Sequence, residues 1–283
     1  MRIFRETLHN GYEQTLHIQG DMLVDRESDF QHIQVFDSVA NGRVLVLDGI
    51  LQLTDRDESA YSEMLVHPPM FEHGAVKRVL IVGGGDGAVA EEVLKHPGVE
   101  RVDLVDIDAQ VVDVAKEFFA HVHKGAFDDD RLSFYPEDAF EFLGRTPEGT
   151  YDLVIADRPD PVGPAQSLFA NDFYTRLQQA LAGRGIGVFQ TGCPFYQGDE
   201  LSETHKLLQD VFQDAGVYLT VVPTYTGGFM ALTWGANGLD LGSADAASVR
   251  RAVAASGLQT DYYNADMHTA AFALPAWMKR LVA

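Results

Sequence analysis

The pattern of apolar and polar positions changes character near residue 58. Before it, short stretches dominate. Gln14-Thr-Leu-His-Ile-Gln19, Met22-Leu-Val-Asp25 and Gln31-His-Ile-Gln-Val-Phe36 read as strands, the last partly alternating. Asn41-Gly42 and Asp48-Gly49 bracket Arg43-Val-Leu-Val-Leu47, and both dipeptides suit type I′ hairpin turns, whose two central residues need positive φ. Ile50-Leu-Gln-Leu-Thr54 follows as a strand. A helix is predicted from the charged run Asp55-Arg-Asp-Glu58, carrying Tyr61, Met64 and Leu65 and ended by Pro68-Pro69. From Lys77 onward strand and helix patterns alternate, the mark of an α/β doubly wound sheet with helices on both faces. Its predicted strands are Val79–Val82, Arg101–Asp108, Leu132–Tyr135, Tyr151–Ala156 and Gly185–Gln190, with Val217–Val222 and Phe229–Trp234 in the tail. Helices are expected from Ala88 and over Val111–Phe119. The predicted domains are residues 1–57, a small N-terminal antiparallel β-domain, and residues 58–283, a Rossmann-like domain.

Charge narrows the function classes. The 283 residues carry 42 Asp and Glu against 21 Lys and Arg, a net charge of -21. No basic patch offsets phosphate repulsion, so no nucleic-acid partner is expected, and cationic small molecules are more natural ligands. The one cysteine, Cys193, allows no intrachain disulfide. Without a signal-peptide h-region or an apolar run of the ~20 residues a membrane span needs, a cytoplasmic protein with no membrane partner is expected.

The candidate chemistry starts at Val79-Leu-Ile-Val-Gly-Gly-Gly-Asp-Gly87. Gly83, Gly84, Gly85 and Gly87 supply a tight turn between a buried strand and a helix, where a nucleotide's backbone contacts are made. Asp86 lies inside that loop and would repel a pyrophosphate. A nucleoside carrying a positive group fits better, and a sulfonium nucleoside such as S-adenosylmethionine or a relative qualifies. Asp106 falls about 20 residues beyond the loop, where an acid commonly accepts from ribose hydroxyls. Asp138 and Asp157 stand at the ends of the third and fourth strands. Any one such aspartate is ordinarily a turn former or helix cap. Together they line the rim where a doubly wound sheet binds its ligands, and they favour a cation.

Gly83-Gly-Gly-Asp-Gly87, Asp106-Ile-Asp108 and Asp157-x-x-Asp-Pro-x-Gly-Pro164 resemble the polyamine aminopropyltransferases, the spermidine synthase family. So do Val46–Thr54, Asp57-Glu58 with Tyr61 and Glu63-Met64, Pro223-Thr-Tyr225 and Tyr262–Pro275, so that the resemblance covers nearly the whole chain. It implies a methyltransferase-type Rossmann domain behind the β-domain, a homodimer, and transfer of an aminopropyl group from decarboxylated S-adenosylmethionine to putrescine. The donor is a co-substrate; neither a tightly bound cofactor nor a metal is implied. By the resemblance, Asp86 holds the donor's amine, Asp106 the ribose and Asp138 the adenine amino group. Pro164 packs near the ring, and Gln31, Gln52, Gly83 and Gly85 complete the donor site. Asp157 becomes the base, assisted by Tyr61 and Tyr225, with Asp160 and Ser62 on the acceptor side. A lid is expected around Gln166-Ser-Leu-Phe169, an ordinary connecting loop being the other reading.

The chain departs from many relatives at Arg158-Pro159, at Ser62 and at Thr191-Gly192-Cys193. Arg158 points to solvent or opposes a diammonium acceptor. Agmatine, cadaverine or spermidine as acceptor, a small-molecule methyltransferase on the same fold, and a non-catalytic polyamine- or nucleoside-binding protein are the alternatives. His121 and His123 read as surface residues, Cys193 as a packed thiol, and Trp234 and Phe229 as core.

Overall fold

The computed structural model describes residues 2–158, 168 and 170–283. Strands β1 (Ile3–Glu6), β2 (Gln14–Glu27), β3 (His32–Ser38), β4 (Gly42–Leu47) and β5 (Ile50–Thr54) form one antiparallel sheet in sequential order. The two predicted strands between Gln14 and Asp25 are one long strand, β2, whose register against β3 shifts between Gln19 and Val24. Gly20, at φ 80°, lets the chain bend there without leaving the ladder. Asp48 (φ 49°) and Gly49 (φ 78°) form the expected kind of turn. At Asn41-Gly42 only the glycine has positive φ, and a three-residue loop closes on the Ser38–Gly42 pair instead. β1 carried no alternation long enough to predict it. It is held by Glu6, whose buried carboxylate accepts from the Leu51 N–H at 2.8 Å and from the Gln14 side chain.

Helix α1 (Glu58–His73) runs straight through Pro68-Pro69, against expectation, and stops at Gly74, whose φ of 75° ends it in the left-handed conformation. Pro68 has no N–H to give the Met64 carbonyl one turn back, and an interior proline costs about 3 kcal/mol. The Tyr218 hydroxyl donates to that carbonyl at 2.9 Å, so the freed acceptor is satisfied. Ten residues of α1, among them Met64, Leu65 and Val66, are buried and hold the helix in place.

The second sheet comprises β6 (Arg78–Gly83), β7 (Arg101–Asp106), β8 (Leu132–Pro136), β9 (Tyr151–Asp157), β10 (Leu181–Gln190), β11 (Asp214–Val221) and β12 (Phe229–Ala236). Its order is β11-β12-β10-β9-β6-β7-β8. Pairs from β8 through β10 are parallel, and β12 is antiparallel to both neighbours. Between the strands come α2 (Ala88–Leu94), α3 (Ala109–Phe118), α4 (Ala120–His123), α5 (Ala139–Arg145), α6 (Asn171–Ala180) and α7 (Gly198–Val211), and α8 (Ala246–Ser256), α9 (Ala265–Ala271) and α10 (Ala276–Leu281) close the chain. Successive strand residues point to opposite faces. Val79, Ile81, Leu153 and Ile155 pack with Met64, Leu65, Val89 and Val93 on one side. Leu80, Val82, Val154 and Ala156 pack with Phe142, Phe173 and Leu177 on the other. The N-terminal sheet docks through Ile33, Val35, Leu45 and Leu53 onto Val111, Val114 and Phe119. Strand order reverses between β6 and β9, and the first and fourth predicted strands do flank that point. Among the described residues no helix is long and apolar enough to cross a membrane.

Candidate active site

The glycines build the site by letting backbone come close. Gly83 ends β6 opposite Asp157, at φ 77°. A Cβ there would stand 1.9 Å from the Asp157 carbonyl oxygen, so no other residue fits without separating β6 from β9. At Gly85 a Cβ would meet the Asp106 carboxylate at 2.7 Å; instead the Gly85 N–H donates to Asp106 Oδ2 at 3.1 Å.

Above these strand ends lies a cavity of about 250 Å³, roofed by the N-terminal sheet. Asp86, Asp106, Asp138 and Asp157 all line it, as do Gly83, Gly85, Gln31, Gln52, Tyr61 and Tyr225. The Tyr61 hydroxyl, from α1, donates to Asp157 Oδ1 at 2.6 Å. The Tyr225 ring stands nearly perpendicular to that of Tyr61, 5.7 Å away, and its hydroxyl donates to the Gln52 carbonyl. Asp86 Oδ1 accepts from the Ala88 N–H at 2.8 Å, at the start of α2. Asp138 caps α5 through the N–H groups of Phe140 (2.7 Å) and Glu141 (3.1 Å), so the ordinary role of a strand-end aspartate and a place on the cavity wall coincide there. Gln31 donates to Asp108 at 2.9 Å and Gln52 to the Ile50 carbonyl at 3.2 Å.

Burial, and after it the crowding of acids, raises their proton affinities. Burial pushes Asp86 upward, and the Asp157 charge adds to it against the opposing Ala88 N–H. Asp157 is raised by burial and by Asp106, while the Tyr61 hydrogen bond opposes. Burial brings Asp106 to about 6, against the N–H groups of Asp108 and Gly85. Burial, and then Asp157, raise both Tyr61 and Tyr225 well above the phenol range, so both hydroxyls are donors and not bases. An alkyl ammonium entering such a site would draw the carboxylates back into their charged forms.

Three predicted positions depart from expectation. Ser62 is buried, faces Glu58 at 2.6 Å and does not line the cavity. Arg158 does not point to solvent; it lines the cavity, with its guanidinium engaged. It is 2% exposed, lies over the rings of Tyr174 and Phe189, and donates to Tyr174 Oη (2.9 Å), to the Gln190 carbonyl (3.4 Å) and to the Leu168 carbonyl. His123 is buried against Phe127, its ring 5.0 Å away, whereas His121 is exposed and pairs with Asp55 at 2.7 Å. Asp160, Pro164 and all of the suggested lid but Leu168 lie outside the described residues; Leu168 lines the cavity. Cys193 is buried and forms part of the wall, and Trp234 is buried in the core, with Phe229 half-buried.

The sequence reading missed Gln190 and Glu58. Gln190 ends β10, lines the cavity at 6% exposure and, among the described residues, has no partner for its side-chain oxygen. The strand-end rule that found the aspartates would have found it too. Glu58, first in α1, reaches a small second cavity beside Asp86.

Residues 58–241 match the family described as spermine/spermidine synthase domain. The chain belongs to the spermine/spermidine synthase family. Residues 3–55 match the family's spermidine synthase tetramerisation domain. A polyamine aminopropyltransferase of a Ruegeria species is 46% identical over 276 residues, covering 98% of this chain and 96% of the relative. Polyamine aminopropyltransferase 1 of Pseudomonas aeruginosa is 42% identical, with 100% and 98% covered. Among solved structures, a spermidine synthase in complex with the transition state analogue AdoDATO superposes with a TM-score of 0.93 at 33% identity, covering 99% of this chain and 94% of that one. The Thermotoga maritima spermidine synthase gives 0.91 at 32%, with the same coverage. The Rossmann-like fold behind an N-terminal antiparallel sheet is thus that of its relatives.

Proposed function

We propose that the protein transfers the aminopropyl group of decarboxylated S-adenosylmethionine to putrescine, giving spermidine and 5′-methylthioadenosine. The observation that carries this reading is the Asp157–Tyr61 pair facing Asp86 across one acid-lined cavity. Asp86 holds the donor's ammonium, Asp106 its ribose hydroxyls and Asp138 its adenine, with Gln31, Gln52, Gly83 and Gly85 shaping the donor side. Asp157 orients the attacking amine and takes its proton while Tyr61 and Tyr225 fix the carboxylate and the chain around it. An alkyl ammonium with a pKa near ~10.4 is no nucleophile until it loses a proton. As the new N–C bond forms, the C–S bond breaks and the thioether leaves uncharged, so the leaving group needs no acid. Alignment of amine, carbon and sulfur then supplies most of the rate.

Putrescine is the acceptor of this reading; among the described residues, Gln190 Oε1 offers the cavity a neutral acceptor, and the Arg158 cation is already engaged. Asp160 and Pro164 keep the acceptor-side and ring-packing roles that the family resemblance implies. A domain boundary near residue 57 fits the two matched family segments. The tetramerisation-domain match supports an oligomer. Light scattering on the eluted protein separates the dimer expected from sequence from a tetramer. The test of function is product analysis with decarboxylated and intact S-adenosylmethionine and an amine panel. Methylthioadenosine with spermidine is expected. S-Adenosylhomocysteine would mean a methyltransferase, no product a binding protein, and a preference for agmatine would overturn the choice of putrescine.

A further inference from the structure

Helix α1 opens with an acid that the proposed reaction does not use. Glu58 is half-buried, and the Ser62 hydroxyl one turn on donates to its Oε1 at 2.6 Å. Beneath the main cavity a second one, about 10 Å³, lies between β5, the start of α1, the glycine loop and the segment 222–225. Its wall includes Glu58, Asp86, Asp157, Tyr61 and Tyr225. Such a volume is about the room a single water needs, and this wall offers it several polar partners. Asp57, on the same wall, is engaged elsewhere: its carboxylate accepts from Thr54 at 2.6 Å and from the Thr224 N–H at 2.8 Å.

Each turnover leaves Asp157 with the proton of the acceptor amine, and it must lose that proton before the next. On the main-cavity side stand the products. Tyr61 holds Asp157 Oδ1 as a donor and is no base. We propose that Glu58 is the exit for this proton, which passes from Asp157 to a water in the small cavity and from that water to Glu58. The proposal rests on the aminopropyl-transfer reading. The step balances: the Asp157 O–H bond breaks as the water takes the proton, the water gives another proton to the Glu58 carboxylate, and Glu58 releases it to solvent. No electron carrier or further reactant takes part.

The groups facing Glu58 suit the task. Burial raises its carboxyl to about 7; Ser62 on its own helix opposes, Asp86 from the glycine loop and Glu92 from α2 raise it further, and Lys124 beyond α4 opposes. A group poised near neutrality both takes and gives a proton readily.

Glu58→Gln keeps the side chain's shape and an acceptor for Ser62 but cannot bind the proton. Methylthioadenosine release is followed in dilute buffer, first over a single turnover and then at steady state. The first turnover should be unchanged. Steady-state kcat should fall about tenfold or more, with KM falling in step so that kcat/KM is kept, and rising imidazole, a diffusible base, should restore kcat. Glu58→Asp, which keeps the acid, should retain most of the steady-state rate. Equal kcat in wild type and Glu58→Gln overturns the proposal. So does a loss already present in the first turnover, or one that imidazole leaves unrestored. If wild type releases no methylthioadenosine, the transfer reading itself falls and the exit path with it.

Discussion

Asp157 sits where two demands meet: its side chain accepts from Tyr61 at 2.6 Å, and its backbone carbonyl stands where a Cβ at Gly83 would collide with it. Asp157→Asn keeps that shape and removes the basicity. Its kcat should fall at least ~10²-fold, the low end of what general-base catalysis contributes, while affinity for the donor changes little. Steady-state kinetics with putrescine checks this, and near wild-type turnover would remove Asp157 from the base's role. Its neighbour Arg158 makes a different claim. The guanidinium is buried and serves three acceptors on Leu168, Tyr174 and Gln190. Arg158→Met fills part of the space but leaves those acceptors unpaired, and we expect a loss of about 2–4 kcal/mol. For a chain of this size that lowers the melting temperature by roughly 5–10 °C. An unchanged melting temperature would mean that the side chain lies in solvent after all. Nothing near Arg158 in sequence could have revealed its setting, because the Gln190 carbonyl is 32 residues away and Tyr174 is 16. Asp86, Asp106 and Asp157 were legible because a strand end followed by a glycine turn carries its own local signature.

Elements were legible where their signal is local and were missed where the compensation is distant. The glycine loop, the parallel strands and the Asp48-Gly49 turn all follow from neighbouring residues. The passage of α1 through Pro68 does not, since the hydroxyl that completes the Met64 carbonyl belongs to Tyr218, 154 residues on. The site depends on that passage, because α1 carries Tyr61 and packs along β10 and β11. Tyr218→Phe should therefore cost about 1 kcal/mol or more, leaving a buried carbonyl without its donor. Pro68→Ala returns an N–H to the same carbonyl. In that background Tyr218→Phe should cost less, giving a coupling of at least ~0.5 kcal/mol in a double-mutant cycle followed by urea denaturation. Strict additivity would show that the hydroxyl does not replace the missing N–H.

At the scale of the molecule, a net charge of -21 draws cations toward the protein, and the cavity concentrates that tendency in carboxylates that resist ionisation. Asp86 and Asp157 are shifted upward, Asp106 to about 6 and Glu58 to about 7, burial being the largest cause in each. In the unfolded chain these groups titrate near ~4. Between that value and 6 to 7 the native state therefore holds protons the unfolded state has released, so their stabilising contribution is complete on the acid side and is lost as pH rises through 6 to 7. Buried His67 and His96, lowered to about 4 and about 3, act oppositely: their contribution is present above the ordinary histidine range and is lost as pH falls toward those values. The pH profile of the free protein mixes both trends, but neither histidine lines the cavity, so binding separates them. A cationic donor needs the carboxylates charged and must displace their protons. Its affinity should rise at least ~10-fold from pH 5 to pH 7.5, with protons released on binding near pH 6. The melting-temperature gain at saturating donor should likewise be larger at pH 7.5 than at pH 5. Methylthioadenosine lacks the positive charge and should bind with a much shallower pH dependence. Calorimetry in buffers of different ionisation enthalpy reads both the affinity and the proton count. A donor affinity as flat with pH as that of methylthioadenosine would mean that the acids do not hold the cation, whatever their place on the cavity wall.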